Sequence, residues 1–425
     1  MNCTVIPSRD CDRASQLAAH LDRARRWHIE YGGFLSNHLA HNHVVFAAAG
    51  ADERLHAWWE DLYAGCLDQG PARASGDLIP RPAPDPATRI DAGNWLRHVE
   101  RERRNFAAFV PFFEGRIAEL GRAETVRRFL PPLLPGLAGA ALHPLIHTGW
   151  AWEAGHDGTL ADGLAYLATA HQPLATGAVH RPSAPLWAPG ASGVIDASLA
   201  FLSRARADGL AEIANEAAVS PAYVALERGA FQPRVIAFDD PDLPLAAALN
   251  AAGPLGLPAG GRPLEPAIEE AAVLVAAALR ASDNEFFVLH GLTAFHALWN
   301  LLPTLEAADR RDALTHWWRA AMAVLVAQRF PGLDDTVARL AAWRDERSAE
   351  ADAPHPPDTA ERAWWLALLR STLGSHDEHV PKAVHALRRQ AESGAFSTAA
   401  VRVFAEAAAH IARPHPSGEL HQNLT

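Results

Sequence analysis

Lysine is almost missing from this chain of 425 residues: of its 38 basic residues one is a lysine, Lys382, and the others are arginines. Arginine replaces lysine wherever a surface cation is enough, but a guanidinium cannot lose its proton, act as a nucleophile or be carboxylated. Cysteine is scarce too. Cys3, Cys11 and Cys66 are too few and too scattered for a disulfide framework or a thiolate cluster. No stretch approaches the apolar length that spans a bilayer, and Arg9, Asp10, Asp12 and Arg13 interrupt the start where a signal peptide would be apolar. A cytoplasmic protein is therefore expected. Positive charge is also short, 38 basic against 49 acidic residues for a net charge of −11, which argues against nucleic acid or an anionic membrane as a partner. What remains is globular: 49% hydrophobic and 20% charged residues, with enough length for a large core.

Apolar residues recur at helical spacing and strand-like alternation is scarce, which predicts an all-α fold. The pattern places helices at 14–30, 36–50, 52–65, 92–119, 122–130, 137–154, 160–171, 194–206, 208–219 and 265–281. Others follow at 284–300, 309–328, 333–349, 359–373, 379–391 and 396–412. Pro111 should end or kink the fourth of these. Stretches 65–89, 171–193 and 250–266, rich in Pro and Gly, read as long loops, and 351–358 as a connector. One large helical domain over 1–412 is expected, with loose halves 1–250 and 251–412, followed by a tail at 413–425.

Histidine is abundant, with 22 in the chain. Several cluster inside apolar helices. His38 and His41 lie three apart and share a helical face, while His43 points elsewhere. His143 and His147 bracket Pro144-Leu145-Ile146, with Pro144 suited to a first helical turn. His290 and His296 are six apart, and His379 and Lys382 three apart, with His376 just upstream. Imidazole is the commonest metal ligand near neutral pH, and without thiolates such a site suits iron, zinc or manganese. Burying so many imidazoles without partners is expensive, so four apolar clusters together point to a metal. His56, His98, His156, His171, His180, His316, His355, His410, His415 and His421 sit in polar or loop contexts and read as surface residues.

The lone lysine fits the same picture. Beside a divalent cation its pKa falls, and the neutral amine can take up carbon dioxide to form an anionic carbamate, a ligand that arginine cannot imitate.

Asn37-His38, the run from Gly139 to His147, His290-Gly291-Leu292-Thr293 and Asp377-Glu378-His379-Val380-Pro381-Lys382 occur in an order that resembles the questin oxidase family across roughly 27–391. The resemblance implies an oxygenase of aromatic polyketide pathways that cleaves a ring C–C bond of an anthraquinone with dioxygen, a Baeyer–Villiger-type outcome. It also implies a non-haem Fe(II) held by His38, His143, His290 and His379 with carboxylated Lys382. His41, His147 and His296 stand in reserve as ligands. Asn37, Thr293 and Asp377 are candidates to orient imidazoles. Trp150, Trp152 and Trp299 are the nearest flat walls for an aromatic substrate. Pro381 stands where the family pattern suggests an aliphatic residue, and is expected to loosen the His379/Lys382 geometry. No Gly-x-Gly-x-x-Gly follows a strand, so a Rossmann-bound flavin or nicotinamide is poorly supported, and any NADPH would act as an external reductant. The competing readings are a zinc-dependent hydrolase that uses a carboxylated lysine and a non-catalytic helical scaffold.

Overall fold

The computed structural model describes residues 8–31, 35–69, 81–175, 193–224, 226, 231–251, 263–349 and 356–413. The middles of the three expected loops, most of the 351–358 connector and the tail from 414 onward lie outside these residues.

Among the described residues the chain is almost wholly helical. It begins with α1 (Ser8–Ala24), a two-residue antiparallel ribbon of β1 (Glu30–Tyr31) and β2 (Leu35–Ser36), α2 (Leu39–Ala49) and α3 (Glu53–Gln69). Next come α4 (Phe106–Leu120), α5 (Arg122–Phe129), α6 (His143–Ala154) and α7 (Asp157–Thr169). The middle holds α8 (Val194–Ala207), α9 (Leu210–Ala218), α10 (Pro221–Val224), α11 (Phe231–Ile236) and α12 (Pro244–Ala251). The last third holds α13 (Glu265–Ala281), α14 (Phe286–Leu301), α15 (Ala307–Ala327), α16 (Leu333–Ala349), α17 (Thr359–Thr372), α18 (His379–Glu392) and α19 (Thr398–Ile411).

Helix α14 is the hub. Every residue from Val288 to Leu298 is buried, so the helix has no solvent face, and it packs against α6, α13, α15 and α18. Phe286–Thr304 is long and apolar enough to cross a membrane by length and composition, contrary to the sequence expectation, but most of it is covered by protein. Small residues bring α6 unusually close. A Cβ on Gly149 would sit 2.3 Å from the Ala297 Cα of α14, and one on Gly163 of α7 would sit 2.7 Å from the Thr148 Cα of α6. Helices from both sides of residue 250 thus share one core.

Several boundaries differ from expectation. Helix α1 ends at Ala24, not 30, because the following residues turn into the β ribbon. The predicted 92–119 helix breaks in two. A short 3₁₀ turn spans Trp95–His98, and α4 starts only at Phe106. Between them Glu-Arg-Glu-Arg-Arg offers no apolar face, and Glu100 accepts from the Asn105 amide at 2.5 Å. Helix α4 then continues through Pro111. The predicted 137–154 helix is interrupted by a left-handed turn. Ala140, Ala141 and Leu142 have φ of 45°, 53° and 69°, a conformation that costs L-residues energy, and α6 begins after it at His143.

Candidate metal centre

Four imidazoles from four distant stretches meet in the core. His38 caps the N-terminus of α2, His143 opens α6, His290 lies in the first turns of α14, and His379 opens α18. Their rings form a closed circuit. Neighbouring centroids are 4.8 Å apart for His38–His143, 4.6 Å for His143–His290, 5.1 Å for His290–His379 and 4.8 Å for His379–His38, with the His38–His290 diagonal at 6.4 Å. All four are buried, between 1% and 8% exposed.

Local structure fixes how each ring faces. The left-handed turn before α6 turns the Ala140 carbonyl back, where it accepts from His143 Nδ1 at 2.6 Å. Gln232 of α11 clamps that turn, accepting from the Ala141 amide at 2.9 Å and donating to the Ala138 carbonyl at 3.1 Å. His290 Nδ1 donates to the Phe286 carbonyl at 2.7 Å, one turn earlier in its own helix. His379 Nδ1 donates to Asp377 Oδ1 at 2.9 Å, and the same oxygen accepts the His379 amide at 2.9 Å. With their Nδ1 atoms held from outside, these rings present Nε2 inward. His143 and His290 bring their Nε2 atoms to 3.1 Å of one another, and the buried Nε2 of His38 has no hydrogen-bond partner. A held outer nitrogen with an inward-facing partner is how a protein prepares histidine for a metal. Burial first, then the positive fields of Lys382 and the neighbouring rings, hold His38 and His143 well below the usual histidine pKa. For His290 burial comes first and the neighbouring His143 and His379 second. The rings are therefore neutral, the form that binds a cation.

Lys382 is 2% exposed and its Nζ lies 2.8 Å from His38 Nδ1. Burial lowers its pKa to about 8, against the opposing pull of Glu378 and Asp377. Glu378 approaches the same side of the ring, 3.5 Å from His38 Nδ1 and 3.8 Å from His379 Nδ1, and with these two histidines it forms a second group that could hold a metal. Tyr63 places its hydroxyl oxygen on the His38 amide at 2.8 Å. Pro381 falls in the first turn of α18 and the helix forms around it.

The other expected residues divide. His41 and His147 pack beside the ring, 4.2 Å apart between centroids, with His41 5.4 Å from His38 and both nitrogens of His41 without partners. His147 Nε2 lies 2.9 Å from the Ser36 hydroxyl. Of the three candidates to orient imidazoles, Asp377 does so. Asn37 bonds the Leu39 amide and the His28 carbonyl instead, and Thr293 bonds the Leu289 and His290 carbonyls. Trp150 is wholly buried and Trp299 sits beside His296, so neither is an open wall at the ring. The aromatic beside the ring is half-buried Phe286, 4.6 Å from His290 and 4.8 Å from His379.

His296 belongs to a second polar layer that spacing alone did not reveal. Its Nε2 donates to Glu153 Oε2 at 2.8 Å, while His385 Nε2 donates to Glu153 Oε1 at 2.9 Å. A third group lies at the end of α2. His56 is buried there, contrary to its reading as a surface residue, with its Nδ1 2.9 Å from His43 Nδ1. His20 stacks on both rings and bonds Glu60 and Glu53. The Arg23 guanidinium lies against His20 and Glu60, and His20, His43 and His56 together form a further group whose nitrogens could hold a metal.

A comparison with curated proteins finds no match. The sequence model of the questin oxidase-like family matches residues 35–387, a span that takes in all four ring histidines and Lys382. The chain belongs to the questin oxidase-like family, and membership implies an oxidoreductase, an oxygenase of polyketide pathways.

Proposed function

We propose that this questin oxidase-like chain is a non-haem iron oxygenase that cleaves a ring C–C bond of an anthraquinone-like or other aromatic polyketide with dioxygen. The observation that carries the reading is the ring of four buried imidazoles, in which His38, His143 and His290 bring ligand nitrogens within 4.8 Å of one another and His379 joins through His38 and Glu378. His38, His143, His290 and His379 would hold Fe(II), and these neutral nitrogen donors suit it. Bound iron supplies the one-electron chemistry with dioxygen that protein side chains lack.

The chain's own residues do the rest. Burial lowers the Lys382 pKa to about 8, which raises the share of free amine near neutral pH. Its Nζ lone pair bonds the carbon of carbon dioxide, one N–H proton leaves to solvent, and the carbamate becomes an anionic oxygen donor beside His38. Asp377 and the Ala140 and Phe286 carbonyls keep three rings from rotating during turnover. Phe286 offers an aromatic edge on which a polycyclic substrate stacks next to the ring. Burial of the site keeps bulk water from the reacting carbon.

Purified protein assayed for metal, then incubated with labelled dioxygen and a panel of anthraquinones with and without NADPH, tests the reading. Expected are one iron per chain and a ring-opened product that carries label. Stoichiometric zinc would favour the hydrolase reading instead, and a metal-free protein that leaves every quinone intact would overturn the proposal.

A further inference from the structure

We propose that Glu153, through His296 and His385, is a positioning residue for the metal centre: it sets the spacing of the three helices that carry its ligands without touching the metal. The inference rests on the metal reading above.

The three helices each carry one member of both layers. On α6, Glu153 follows His143 by ten residues, on α14 His296 follows His290 by six, and on α18 His385 follows His379 by six. Six residues are about 9 Å of helix rise, less than two turns. Glu153 joins all three helices at one carboxylate. Oε1 accepts from His385 Nε2 at 2.9 Å, and Oε2 accepts from His296 Nε2 at 2.8 Å and Asn300 Nδ2 at 3.1 Å, while the half-exposed Arg389 forms an ion pair with Oε1 at 3.0 Å. Three hydrogen-bond donors and one ion pair surround one carboxylate.

This layer is built differently from a metal site. Here Nε2 of each histidine is spent on the carboxylate, and the buried Nδ1 atoms of His296 and His385 have no partner. A metal on Nε2 would leave two N–H groups stranded at Nδ1, whereas a bond to Glu153 leaves only two unused acceptors. Both rings are wholly buried and lie 5.9 Å apart, and Trp150 packs against both, 5.4 Å from each. The same Trp150 lies 5.8 Å from His41, which borders the ring. A shift at Glu153 therefore reaches the metal centre along three helix axes and through a packed indole.

The test uses the full-length chain, stripped of metal and titrated with Co(II). Relative to wild type, E153Q is expected to bind Co(II) about tenfold more weakly with a shifted visible ligand-field spectrum, within the range typical of outer partners of metal ligands. Arg389→Ala, which removes a half-exposed ion pair and none of the hydrogen bonds that join the helices, should leave both unchanged. A second pair covers misfolding of E153Q. His385→Phe should reproduce the loss, while His385→Gln, whose amide still donates to Glu153, should restore affinity to within about threefold. Variants that match wild type in affinity and spectrum overturn the brace, as does an equal loss in His385→Phe and His385→Gln. A wild-type chain that takes up no Co(II) overturns the metal reading itself.

Discussion

Two polar layers that share three helices solve the burial of histidine in opposite ways. In one, four imidazoles surround a core position, with Asp377 bonded to the Nδ1 of one of them and Glu378 beside two. In the other, a carboxylate stands at the centre and collects the imidazole N–H groups. The first layer needs a cation, and the second supplies its own counter-charge. Burial would raise the Glu153 carboxyl, but the fields of His385 and His296 and their hydrogen bonds hold it well below the usual range. A histidine cluster is thus to be judged by which of its nitrogens are already occupied. Counting rings would rank the layers alike.

The contrast breaks most sharply under substitution. His290→Ala should abolish metal uptake, at least a hundredfold in affinity, yet leave the metal-free chain no less stable by denaturant titration, because it deletes a buried imidazole that awaits a cation. Glu153→Ala should do the reverse to stability. It strands two buried imidazole N–H groups and should cost about 3 kcal/mol, read from the midpoint of urea unfolding. Equal destabilisation by the two variants would erase the distinction.

Acid should separate the layers next. The folded pKa values of His38, His143 and His290 are lowered and that of His147 falls to about 3, so the unfolded chain binds more protons than the folded one below about pH 6.5. Their contribution to stability is complete above that pH and declines as pH falls below it. Glu153, also lowered, keeps contributing until pH drops below the ordinary carboxylate range, near 4.5, toward its folded value. Below the Lys382 transition, which ends near pH 8, the unfolding free energy of the metal-free chain should next fall from near pH 6.5, and bound metal, which selects the folded state, should move that second onset lower. An onset near pH 4.5 in the metal-free chain would mean that the ring histidines are already protonated.

Helix spacing and turn geometry come after these. Gly149→Ala would drive a methyl into the Ala297 backbone and push α6 from α14, with an expected cost of about 1–3 kcal/mol and weakened metal binding. Gln232→Ala should cost about 1 kcal/mol, since it frees only the clamp on the Ala140–Leu142 turn. Co(II) spectra of that variant should show His143 less firmly held.

Much of this was legible in the residues. The clustered histidines stood out because they sit in apolar helices and Lys382 because it is the only lysine, while the family resemblance singled out His38, His143, His290 and His379 among them, and the helical period located most of the helices. Other features leave no such mark. Glu153 precedes Ala154-Gly155 at a helix end, where an acidic residue reads as solvated, and His385 is followed three residues later by Arg388-Arg389, which reads as a surface face. The left-handed turn at Ala140–Leu142 contains no glycine, so nothing local announces it, and only the distant Gln232 explains why it holds. His56 misled because its helix is polar on one side, and His20, which covers it, lies 36 residues away.

The most direct test is metal content of the purified wild-type chain alongside His290→Ala and His385→Phe. The account predicts close to one iron in the wild type, none in His290→Ala, and never a second ion whose loss follows from His385→Phe. Iron retained at full occupancy in His290→Ala would contradict it.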